Sequence, residues 1–194
     1  MDKNEIIAFF DRCAPDWDKN MIRNDDIIAA ILDNGGVVAG TEVLDVACGT
    51  GVLFPDYLAR GVARVVGVDI SPEMIRIANE KFSQANISFI CGDVEEVKFD
   101  RLFDCVMLYN AIPHFTDPAN LMSSLAECLK PGGRLSVAHG MSREKIDHHH
   151  SGTASKISMG LMPETELAGM LRPYFDVDVI ISNDHMYQVS GVKK

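Results

Sequence analysis

The run VLDVACGTG at 43–51 sets two glycines, Gly49 and Gly51, just after an apolar stretch. Glycine there lets the backbone come close to a ligand where a Cβ would clash. On the glycines alone, a plain strand-to-helix turn accounts for the run as well as a ligand site does. Asp69, in VVGVDIS, follows 18 residues after Gly51. A carboxylate at that point can accept two hydrogen bonds from ribose hydroxyls, which apolar neighbours cannot. Its other reading is a helix N-cap, but Ser71 before Pro72 already suits that task. Asp93, in CGDVEE, can accept from the exocyclic amine of an adenine, and Ile70 and Val94 beside the two acids can sandwich the ring. Alone, Asp93 would pass for a loop acid. Three anchors in this order are a poor fit to chance.

A nicotinamide site would also use a glycine turn and an acid. Its fingerprint has a third glycine three residues after the second, and that position holds Phe54. No Lys or Arg is placed for a pyrophosphate. The expected ligand is therefore a nucleoside.

The second set of reactive residues is the histidines: His114, His139, His148, His149, His150 and His185. One imidazole, with His114 and His139 the first candidates, could remove a proton from a nucleophile near neutral pH. Alternatively, two or three could hold a divalent metal that orients an oxygen or thiol. Adjacent rings diverge, so a metal set would combine His139 with one member of the triplet, such as His149, and a third group such as Glu144, His114 or His185. The third reading is a polar substrate loop, because short His-rich tracts are weak metal signals.

The order of elements explains how these groups meet. Short apolar runs at 42–47, 62–69, 87–93, 103–109 and 133–139 read as strands. Helical spacing falls between them at 52–60, 72–83 and 117–129, and LKPGG at 129–133 reads as a stop and turn into the fifth strand. Alternation of this kind means a parallel sheet wrapped by helices, whose ligands bind beyond the carboxyl ends of the strands. Two helices lead, at 2–13 and about 24–33; a helix at 164–171 and a hairpin at 175–182 and 186–192 close the pattern. The expected fold is α/β: a Rossmann-like, doubly wound, seven-stranded mixed sheet, mostly parallel with one antiparallel C-terminal strand. All six histidines then fall at the ligand edge. The chain reads as a single domain, with cap helices in 1–35 and a variable, irregular substrate-side loop at 140–163.

Composition narrows the partners. Hydrophobic residues make up 47% and charged ones 24%, as in ordinary globular domains, and no apolar run is long enough for a membrane span. A net charge of −10 repels a polyanion, so a small-molecule partner is expected rather than nucleic acid. Cys13, Cys48, Cys91, Cys105 and Cys128 form no C-x-x-C pair, which suits reduced thiols in the cytoplasm.

The runs VLDVACGTG, VVGVDISPEMIRIA, ISFICGDVEEV, FDCVMLYNAIPHFTDP and LKPGGRLSVAH together resemble a class I S-adenosylmethionine-dependent methyltransferase, in the small-molecule group that includes the ubiquinone and menaquinone enzymes. FFDRCAPDWDK at 9–19 resembles that group's leading segment. The resemblance implies S-adenosyl-L-methionine as cofactor. It implies that Asp45, Ala47, Cys48, Gly49 and Gly51 line its methionine end, and that Asp69 holds the ribose. Ile70, Met74, Gly92, Asp93 and Val94 would meet the adenine. Tyr109 and Asn110 would sit near the sulfonium, with Trp17 as lid. YNAIPH departs from the Asn/Asp-Pro-Pro-aromatic signature of enzymes that methylate nucleobase or amide nitrogens. Two other classes stay open: a cofactor- or metal-binding regulator without turnover, and a nicotinamide oxidoreductase.

Overall fold

The computed structural model describes residues 2–150 and 157–194, with the backbone alone for 148–150. Helix α1 (Lys3–Cys13) starts at Asp2, whose side chain accepts from the Asn4 N–H. A short 3-10 turn (Ala14–Asp16) leads to α2 (Trp17–Asn20), and α3 (Asp25–Asn34) is capped by Asn24. Strand–helix alternation follows: β1 (Glu42–Val46), α4 (Phe54–Ala59), β2 (Arg64–Asp69), α5 (Pro72–Lys81), β3 (Ile87–Cys91), β4 (Phe103–Tyr109), α6 (Pro118–Glu127) and β5 (Leu129–His139). Then come α7 (Arg143–His150), α8 (Glu164–Leu171), β6 (Phe175–Ser182) and β7 (Tyr187–Lys193).

The sheet order is β3-β2-β1-β4-β5-β7-β6. Strands β1 to β5 pair in parallel, and β7 runs antiparallel between β5 and β6. Side chains alternate across the sheet. Leu44, Val46, Val66, Val106 and Leu108 pack into one core with α6 and α8. Val43, Val65, Cys105 and Met107 pack into the other, against α3 and α4. Strand order reverses between β1 and β4, and their carboxyl ends open a crevice there.

Two local expectations are corrected. The connection at 140–163 is not wholly irregular, because Arg143–His150 is helical. Ser142 accepts the Ile146 N–H on its carbonyl and starts the helix. Apolar periodicity could not find it: Ile146 is its one apolar residue. The fifth strand begins at Leu129 rather than 133, because Leu129 pairs with Phe103 before a register shift lets Arg134 pair with Cys105. LKPGG is thus a bulged strand entry. Among the described residues no helix is long and apolar enough to cross a membrane.

Candidate functional site

A cavity of about 710 Å³ lies at this crevice, under the leading helices. That is within the span of small-molecule sites, roughly 300–1,000 Å³. Trp17, Asp45, Ala47, Cys48, Gly49, Asp69, Ile70, Met74, Gly92, Asp93, Val94, Tyr109 and Asn110 all line it. Gly51 does not. A Cβ there would strike the Phe82 ring at 2.6 Å, so its glycine serves the packing of the loop against that ring. Spacing alone could not tell which glycine faces the cavity.

Among the described residues, two that are not glycine hold positive φ, Ala47 at 54° and Asn110 at 56°. They follow β1 and β4, the two strands that flank the crevice. Such a backbone costs on the order of 1–3 kcal/mol and persists where the surroundings impose it, often at a ligand site. Asn110 repays part of that cost, since its Oδ1 accepts the Gly140 N–H at 3.0 Å.

The carboxylates sit at strand ends. Asp69 accepts the Gly49 N–H at 2.8 Å and the Ser71 N–H at 2.9 Å, one on each oxygen. It therefore fixes the glycine loop to the start of α5 and keeps lone pairs for a ligand. Burial pushes its pKa up, while those N–H groups oppose the shift. Asp45 is deeper. Burial raises its carboxyl to about 8, against the nearby Tyr57 hydroxyl and with help from the Asp69 charge. Asp93 accepts from the Glu95 N–H at 3.0 Å and pairs with Lys3. Burial pushes the Cys48 thiol well above its usual range, so it is no thiolate here.

The leading segment is pinned over the cavity by polar ties. Ser71 Oγ donates to Asp11, Thr50 Oγ1 donates to Asp18, and Lys81 also reaches Asp18, at 2.6 Å. Arg23 grips both oxygens of Asp56 and the Val52 carbonyl. Phe10 stands edge-on to Trp17, with ring centres 5.8 Å apart, and edge-on to His114 at 5.1 Å. Phe10 and Lys3 were not among the expected site residues. The FF pair in the leading segment signals the first, but nothing local signals an ion pair across ninety residues.

His114 and His139 both line the cavity. His114 Nδ1 lies 2.7 Å from the Ile157 carbonyl, an acceptor only, so Nδ1 carries the hydrogen. Burial lowers the pKa of His114, against that hydrogen bond. His139 is 2% exposed, its ring 6.0 Å from that of Tyr187. Of the expected metal candidates, His114 and His139 are thus at the cavity. His185 is exposed in the β6–β7 turn and absent from the cavity lining. The side chain of His149 lies outside the described residues, with His148 and His150. Among the described residues no three His, Cys, Asp or Glu groups share a ligating position.

A family profile described as a methyltransferase domain matches residues 43–133. The demethylmenaquinone methyltransferase of Renibacterium salmoninarum is 32% identical over 144 residues, 70% of this chain and 58% of that protein. The ubiquinone biosynthesis O-methyltransferase of Coxiella burnetii is 31% identical over 143 residues, 70% of this chain and 61% of that one. The chain thus spans less than two thirds of the length of these relatives. In structure, it is similar to a chain from the complex containing the Haloferax volcanii Trm112 methyltransferase activator. There the identity is 25%, the TM-score 0.78, and coverage 95% of this chain and 97% of that one. The magnesium protoporphyrin IX methyltransferase of Synechocystis PCC 6803, with bound SAH, shares the fold at a TM-score of 0.73 and 18% identity, with both chains fully covered. By the order of its motifs, its sheet topology and these likenesses, the chain belongs to the class I S-adenosylmethionine-dependent methyltransferases.

Proposed function

We propose that the protein transfers the methyl group of S-adenosylmethionine to a small-molecule acceptor. The observation that carries this reading is the run of carboxyl groups Asp45, Asp69 and Asp93 at three successive strand ends of one cavity, beside the Gly49 turn. That donor set suits a cationic nucleoside. When bound, the cofactor supplies a methyl carbon on a positively charged sulfur that departs as a neutral thioether.

The chain's own groups do the rest. Asp69 presents its spare lone pairs to ribose hydroxyls. Asp93 and Val94 meet the adenine edge, with Ile70 and Met74 against the ring. Asp45 becomes charged when a cation lies against it. Phe10 and Trp17 cover the site and exclude water, so that positioning supplies most of the rate. The neutral His114 accepts the acceptor's proton at Nε2, and His139 is the second candidate for that role. The protein is read as one methyltransferase domain, with 1–35 as cap. It is read as cytoplasmic on its five free thiols.

A thermal-shift titration tests the reading. S-adenosylhomocysteine should raise Tm in a concentration-dependent way and NADH should not. A shift with NADH alone would overturn it in favour of an oxidoreductase. Binding without methylation of any acceptor in a broad panel would favour a regulator on the same fold.

A further inference from the structure

The cavity has two unlike walls. Where β1, β2 and β3 end, Asp45, Asp69, Asp93 and Glu95 line it. Where β4 and β5 end, the lining includes His114, Thr116, His139, Met141, Lys145 and Ile146. From Tyr109 to Ile146 no Asp or Glu lines it among the described residues. Asp147, on the same helix as Lys145, is engaged elsewhere and accepts the Leu161 N–H at 2.8 Å. By sequence, the adjoining 148–156 (HHHSGTASK) contributes no acid either.

Lys145 is exposed at this wall and makes no ion pair with any described residue. The other lysine of the lining differs, as do two lysines elsewhere on the fold. At the same cavity Lys3 pairs with Asp93 and Glu96; Lys81 pairs with Asp18, and Lys130 with Glu42 and Asp104. Arg12 is a third cation of the lining, after Lys3 and Lys145, its guanidinium 5.9 Å from the Phe9 ring centre. In a chain of net charge −10, an ammonium on the wall that adds no carboxylate to the lining, whose acids are Asp16, Asp45, Asp69, Asp93 and Glu95, is a vacant half of an ion pair. Its neighbours Met141 and Ile146 offer apolar surface to the body of a ligand.

We propose that the methyl acceptor is a small apolar or aromatic acid whose carboxylate is bound by Lys145. This rests on the methyltransferase reading and deepens it: Lys145 selects the acceptor and takes no part in the proton transfer. A charge-assisted hydrogen bond at a partly enclosed site discriminates against a neutral isostere, which leaves the ammonium unpaired.

The test uses the full chain saturated with S-adenosylhomocysteine and two isosteric probes, 3-hydroxybenzoate and 3-hydroxybenzamide, titrated by calorimetry. The acid should bind at least about tenfold more tightly than the amide. Lys145→Met should abolish that preference and Lys145→Arg should keep most of it. Both variants should bind S-adenosylhomocysteine as the parent does, which shows that the fold is intact. Equal binding of acid and amide, binding of neither, or a preference that survives Lys145→Met would overturn the proposal. Failure of S-adenosylhomocysteine itself to bind would sink the methyltransferase reading, and this proposal with it.

Discussion

The two walls of the cavity are made in different ways. The wall below β1, β2 and β3 is largely backbone held by acids: Asp69 binds the Gly49 and Ser71 N–H groups, and Asp93 binds that of Glu95. The wall below β4 and β5 is made of side chains, among them His114, His139 and Lys145. The methyltransferase-domain profile ends at residue 133, before His139 and Lys145 are reached. Recognition of a constant cofactor needs a constant backbone path, which short motifs specify. Recognition of a variable acceptor needs only side chains on a connection free to change.

The sharpest way to break this contrast is at Asp69. Asp69→Ala removes hydrogen bonds to a charged group on both the loop and the ligand. It should weaken S-adenosylhomocysteine binding roughly a thousandfold in calorimetry. A loss below tenfold would mean that the acids do not define this wall. His114→Ala tests the opposite side. It should lower kcat about a hundredfold while leaving S-adenosylhomocysteine affinity unchanged. Because burial depresses the pKa of His114, the acid limb of the parent's kcat profile should lie below that of an ordinary histidine, about pH 6.5.

Titration separates the walls a third way. The Asp45 carboxyl holds its proton up to about pH 8 in the cofactor-free protein. Its folded pKa exceeds the unfolded value of about 3.9, so the native state binds more protons between the two. Stability should therefore fall as pH rises through that window, by at most about 1.4 kcal/mol per unit. Urea denaturation from pH 5 to 8 measures it, and Asp45→Asn should flatten the slope. The smallest effect is at the strained turns. Ala47→Gly should stabilise the protein by about 1 kcal/mol, since glycine adopts positive φ freely. Asn110→Gly should gain less, because it also loses the bond to Gly140. Equal gains at both sites would show that the Asn110 side chain holds nothing.

Legibility in the sequence follows the same divide. The strands at 103–109 and 175–182 and the helix at 164–171 match their expected limits, because their apolar patterns end at clear turn residues. The cofactor candidates came from short local motifs and from the family resemblance those motifs carry, and all but Gly51 line the cavity. What stayed hidden was non-local or lacked a pattern. The polar helix α7 has too few apolar residues to show a period. Lys3 finds Asp93 only in the folded chain. Lys145, beside the histidine run, stands out only once the carboxylates at the strand ends are placed on the other wall.

The place of β7 has a consequence for how the protein is born. It lies between β5 and β6 yet follows both in sequence, so its residues emerge from the ribosome after those of either neighbour. Every residue of the acid wall, through Glu95, precedes it by about ninety positions or more. His139 gains its cross-strand partner Tyr187 only when that late strand slides in. Until then the acceptor wall is unfinished and the edge of β5 stands open to any passing strand.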